Sequence, residues 1–138
     1  MADRHQFQYA VLRVVPRVER GECVNAGVIL FCRSRAYLAA RVGLDEPLVR
    51  ALAPDLDLDV VRQHVEAVPR IAAGDAGAGP IAALEQPQRF HWLVAPSSTV
   101  VQVSPVHTGL CDDAEPWLDR LFERLVRRPH PAGPGPTQ

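Results

Sequence analysis

Tyr9-Ala10-Val11-Leu12-Arg13-Val14-Val15, followed by Cys23-Val24-Asn25-Ala26-Gly27-Val28-Ile29-Leu30-Phe31, is the stretch whose reading decides the fold. The first segment is short, rich in β-branched residues and almost wholly apolar, which marks a strand buried on both faces or nearly so, and the second reads as another strand. Arg20-Gly21 between them is a turn signal, so the pair predicts an antiparallel hairpin. Arg33-Ser34-Arg35 is a second polar turn, and residues 36–42 read as a third strand. The sheet is therefore expected to begin as an N-terminal meander.

Working outward, Asp45 can cap a short helix through Leu52, with Pro47 tolerated in its first turn and Pro54 beyond its end. Asp57 can cap a second helix, in which Leu58, Val61, Val65 and Val68 form one apolar stripe. Pro69 is expected to kink or stop it. Residues 74–80 (Gly-Asp-Ala-Gly-Ala-Gly-Pro) read as a flexible loop inside one domain. Residues 81–94 fit a helical turn followed by a strand at 90–94, and residues 100–103 fit a strand. Trp117, Leu118, Leu121, Phe122, Leu125 and Val126 make the broad apolar stripe of a last helix, with Arg124, Arg127 and Arg128 suited to its C-terminal dipole. These elements predict an α+β fold: an antiparallel sheet of three to four strands packed with two to three amphipathic helices as a two-layer sandwich. Residues 1–128 are expected to form one domain, and the Pro/Gly-rich residues 129–138 a disordered tail.

Composition narrows the function classes. A chain of 138 residues that is 47% hydrophobic can bury a core without disulfides or metal. A net charge of −1 gives no global field toward nucleic acid or membrane. Every basic residue is Arg, spread evenly along the chain, which reads as compositional bias rather than a phosphate-binding surface. Cys23, Cys32 and Cys111 are odd in number and widely spaced, the pattern of free thiols in a reducing cytoplasm. The first eight residues lack the apolar core of a signal peptide, and no run approaches the ~18 apolar residues of a membrane span. The expected location is cytoplasmic, with no membrane contact.

Two segments are chemically unusual. Arg13 stands in the middle of an apolar strand, and a charge there needs a partner or a wet face. A hairpin turning near Glu19-Arg20 brings Arg13 close to Asn25, which together could form a polar pocket; alternatively Arg13 faces solvent beside a local bulge at Gly27. The second segment spans residues 97–113. Val101 and Val103 alternate with Val100, Gln102 and Ser104, so one side of that strand carries polar groups. His107, Thr108, Cys111 and Asp112 then crowd what reads as a short loop before the last helix. A hydrolase would use His107 as base, oriented by Asp112 or Asp113, with Cys111 as nucleophile. The plainer reading makes Asp113 the N-cap, with Pro116 at N3, and Cys111 a small buried residue. His107 and Cys111 could hold a metal only with ligands from unrecognisable spacings, so no metal and no cofactor is expected. Arg13, Arg17, Arg20, Arg33 and Arg35 could touch nucleic acid, but aromatics for stacking are only 6% of the chain and Glu19 and Glu22 dilute the patch.

Residues 9–32 and 90–113, centred on Ser98-Thr99-Val100-Val101-Gln102 and His107-Thr108-Gly109, resemble a bacterial family, the domain of unknown function 3037 family. The matching positions are Arg13, Arg17, Glu19, Asn25, Gly27, Ser98, Thr99, Gln102, His107 and Gly109. The resemblance implies a small stand-alone bacterial protein with no assigned reaction, whose gene neighbours often include a HipA-like kinase. It thereby implies a regulatory or protein-binding module, with Arg13, Arg17, Asn25, Ser98, Thr99, Gln102 and His107 as binding candidates. A small hydrolase or nuclease-like enzyme using His107, Asp112 and Asp113, and a nucleic-acid binder working through the Arg-rich hairpin, are the alternatives.

Overall fold

Among the described residues, five strands and four α-helices follow in the order β1 (His5–Val14), β2 (Val24–Cys32), β3 (Tyr37–Val42), α1 (Glu46–Leu52), α2 (Leu58–Ala73), α3 (Gln86–Leu93), β4 (Val101–Val103), β5 (His107–Cys111), α4 (Ala114–Leu125). They are seen in a computed structural model that describes residues 4–96 and 99–127. The sheet is antiparallel, ordered β3-β2-β1-β4, with β5 also on β1. The α+β class and the leading meander are as the sequence predicts. The expected tail at residues 129–138 lies outside the described residues.

The sheet is the middle of three layers where the sequence reading counted two. Alternate residues of β2 serve opposite faces: Ile29 and Phe31 join α2 and α3 in one core, while Val28, Leu30 and Cys32 join α4 in the other. That explains the unbroken apolar run of β2, in which Ile29 and Leu30 are both fully buried. A last helix returning to the second face is something local periodicity cannot show.

β4 and β5 are two halves of one interrupted edge. β4 pairs with Leu12–Val14 positions of β1, and β5 with the earlier half from His5 to Tyr9. Between them residues 104–106 oppose only Ala10 and Val11, a bulge of one residue. Ser104 bridges it. Its backbone N–H donates to the Val11 carbonyl at 2.8 Å, and its hydroxyl accepts the Val11 N–H at 2.8 Å. Ser104 is thus buried and committed to the ladder, and does not extend the polar side of β4. Ser104→Ala strips the acceptor from a buried N–H and is expected to lower stability by about 1–3 kcal/mol in urea unfolding.

Three local expectations change. Residues 90–94 are not a strand: Phe90 and Leu93 are buried on α3, whose first turn accommodates Pro87. Pro69 does not stop α2, which runs on to Ala73, because Ile71 and Ala72 are buried and Gly74 closes the end at φ 74°. Residues 107–111 form a strand rather than a loop, since β1 extends back to His5 and offers them a partner. Asp113 does stand at the N-cap of α4, though its side chain makes no capping hydrogen bond. No helix among the described residues is long and apolar enough to cross a membrane.

Candidate functional site

The β1–β2 register passes from Leu12↔Gly27 to Arg13↔Asn25, leaving Ala26 as an extra residue on β2. Gly27 is there because no side chain fits: a Cβ would lie 2.8 Å from Val42 Cγ1 and 2.9 Å from the Arg41 carbonyl on β3. On the other side of β1, Arg13 pairs with Gln102 of β4. The two unusual segments of the sequence therefore meet in one row, Asn25–Arg13–Gln102, across three strands. The row points to the α4 side, because Asn25 Nδ2 donates to the Leu125 carbonyl at 2.9 Å, at the C-terminal end of α4.

Arg13 is half-buried. Its Nε is fully covered and has no hydrogen-bond acceptor. Gln102 Nε2 donates to the Thr99 carbonyl at 2.7 Å, and Thr99 Oγ1 donates to the Val101 carbonyl at 2.8 Å, which together shape the entry to β4. Arg17 stands apart from the row in an exposed pair with Asp55 at 2.9 Å, a contact of small energetic weight. Ser98 lies outside the described residues.

His107 is exposed and stacks on Tyr9 with ring centroids 5.3 Å apart. It begins β5, whereas Asp112 and Asp113 follow the other end of that strand. Among the described residues no hydrogen bond joins His107 to either carboxylate. Cys111 is buried, and burial first, then the neighbouring Cys32, pushes its thiol above the ordinary range. A raised thiol is a poor nucleophile at neutral pH. Among the described residues no group of three or more metal-ligating side chains occurs.

A feature missed from sequence lies along the edge at β4. A hollow of about 290 Å³ is lined by Val60, His64 and Val100 among others. It shares His64, Thr99 and Val101 with a second, of about 270 Å³, bounded by Leu12, Trp92 and Gln102. Trp92 and Ala95 carry the surface on to a third, of about 400 Å³, beside Leu84 and Pro87. The three hollows adjoin through these shared side chains and together make a mostly apolar groove. Val60 (60%), Trp92 (48%) and Leu84 (37%) are all substantially exposed in it. Two signals could have pointed there: Val60 falls off the buried stripe of α2, and Trp92 sits between the buried Phe90 and Leu93.

No curated protein and no solved structure matches the chain. A family model described as Protein of unknown function (DUF3037) matches residues 9–126, which contain the Asn25–Arg13–Gln102 row and the groove, and on that match the chain belongs to the DUF3037 family.

Proposed function

We propose that this protein is a protein-binding module of the bacterial cytoplasm, and that the groove along β4 is its docking surface. The observation that carries the reading is the half-exposed Trp92 at the junction of two of the three connected hollows, flanked by Leu84 and, across the neighbouring hollow, by Val60. Contiguous exposed apolar surface on a small domain marks interaction sites, and Trp is the residue most enriched among energetic anchors of interfaces. The occupant is a segment of a second protein that presents apolar side chains to Trp92 and Val60. The first partner to test is the HipA-like kinase that the family resemblance implies. The buried state of Cys32 and Cys111 as free thiols suits a reducing compartment.

The test is direct binding of the purified chain to that kinase at micromolar concentration. Trp92→Ala is expected to weaken the complex by about 30-fold, the effect of losing an anchor worth about 2 kcal/mol. Its thermal unfolding should stay close to that of the parent chain, because the side chain is half outside the core. Absence of a complex would remove this partner. A complex indifferent to Trp92→Ala and Val60→Asp would remove the groove as its docking surface.

A further inference from the structure

Half of the described arginines have polar partners within the fold. Arg17, Arg20, Arg41, Arg62, Arg70 and Arg127 each pair with a carboxylate. Arg89 also has a covered, unbonded Nε, but its two other nitrogens donate to the Leu84 and Ala72 carbonyls at 2.7 and 3.2 Å. Among the described residues, the arginines with neither an ion pair nor a hydrogen bond are Arg4, Arg13, Arg33, Arg35, Arg50, Arg120 and Arg124, and all but Arg13 are exposed. A solvated guanidinium needs no partner. Arg13 differs from these in being half-buried with its Nε covered and unbonded, so its guanidinium is partly desolvated and gains from an acceptor at its two open nitrogens.

The carboxylates of α4 do not supply it. Asp119 and Glu123 are bound to Arg41, and Glu123 also to Arg127. Asn25 does not supply it either: its Nδ2 donates to the Leu125 carbonyl, and among the described residues its Oδ1 accepts no hydrogen bond from Arg13. Of the three side-chain nitrogens of Arg13, only Nε is sealed. The other two are reachable from outside, and they form the end-on fork that matches the two oxygens of a carboxylate.

We propose that Arg13 is the receptor for a carboxylate delivered by the partner protein, an aspartate, glutamate or chain terminus, taken end-on by its two terminal nitrogens. This rests on the docking reading above and gives the partner its chemistry: apolar anchors for the groove and an acidic group for the row. The row faces α4 while the hollow beside Trp92 lies on the α2/α3 face, so the partner reaches both by passing round the edge strand β4, where Gln102 pairs with Arg13 and borders that hollow. Arg13→Lys keeps the charge but loses the planar fork, which makes it the informative variant.

Two measurements test this. In the first, acetate is titrated into the free protein at constant ionic strength while the Arg13 Nε–H resonance is followed by NMR, with chloride and inorganic phosphate as the other arms. A saturable shift with acetate that chloride does not reproduce is expected. No saturable shift, or the same shift with chloride, overturns the proposal; saturation by phosphate alone overturns the carboxylate assignment. In the second, partner affinity is compared for Arg13→Lys, Arg13→Gln and Trp92→Ala, each checked for unchanged thermal unfolding. At least a tenfold loss in Arg13→Lys is expected. Full affinity in both Arg13 variants with loss in Trp92→Ala would overturn the carboxylate receptor and leave the docking surface standing, whereas full affinity in all three would overturn both.

Discussion

Phe7→Ala is expected to lower the free energy of unfolding by about 3–5 kcal/mol, among the largest effects of any single substitution in this chain. Phe7 is only 2% exposed and is the point where β1, β5 and α4 are held together. Its ring lies 5.5 Å from that of Trp117 on α4 and 6.1 Å from that of Tyr9. On β5 it fills the space that a side chain at Gly109 would need, where a Cβ would stand 2.6 Å from Phe7 Cζ. Removing the ring leaves a hole that Gly109 cannot fill, so the full cavity term applies. Urea unfolding followed by tryptophan fluorescence measures it, since Trp117 reports from the same cluster. The close approach gives a second check: Gly109→Ala should be destabilising alone and tolerated in a Phe7→Leu background, because the two changes occupy one space. A loss below about 1 kcal/mol for Phe7→Ala would mean that β5 and α4 are not packed on this ring.

Ile29→Ala is expected to cost about 2–5 kcal/mol through the opposite core. Ile29 is fully buried on β2 and belongs to the cluster that includes Val65 and Phe90 of the helices on that face. Phe7 and Ile29 share no cluster, so the sheet separates their effects. Either loss is a large fraction of the 5–15 kcal/mol that holds a typical domain folded. Should Ile29→Ala cost under about 1 kcal/mol while Phe7→Ala costs its full amount, the packing of α2 and α3 on the sheet would be wrong.

The candidate site was legible in part. Arg13 was marked by a charge in an apolar strand, and Asn25 by its place opposite on the hairpin; the structure pairs them in register. Gly27 was marked as a bulge or close approach, and both hold: the register shifts beside it and β3 leaves no room for a Cβ. Arg17 and Thr99 were also singled out, yet Arg17 sits in a surface ion pair and Thr99 turns its hydroxyl to the backbone of Val101. Motif membership could not tell a side chain that shapes the chain from one that faces a ligand. The groove went unread because it needs β1, α2, α3 and β4 side by side, with lining residues from Leu12 to Val103.

What the sequence determined by itself is whatever neighbouring residues decide. Apolar β-branched runs with a turn between them give the β1–β2–β3 meander. The stripes of α2 and α4 give amphipathic helices, and Asp45 and Asp57 cap theirs with hydrogen bonds to the backbone N–H groups of Leu48, and of Asp59 and Val60. What only the tertiary structure decided is whatever depends on a distant partner. Residues 107–111 are a strand because β1 reaches back to His5 to pair with them. α2 continues through Pro69 because burying Ile71 and Ala72 outweighs one missing hydrogen bond. Ser104 is internal because a bulged edge needs an acceptor for the Val11 N–H. α4 takes the second face of the sheet because Val28, Leu30 and Cys32 of β2 leave it apolar. Each of these is a choice between local preferences of similar size, and burial against a remote surface settles it.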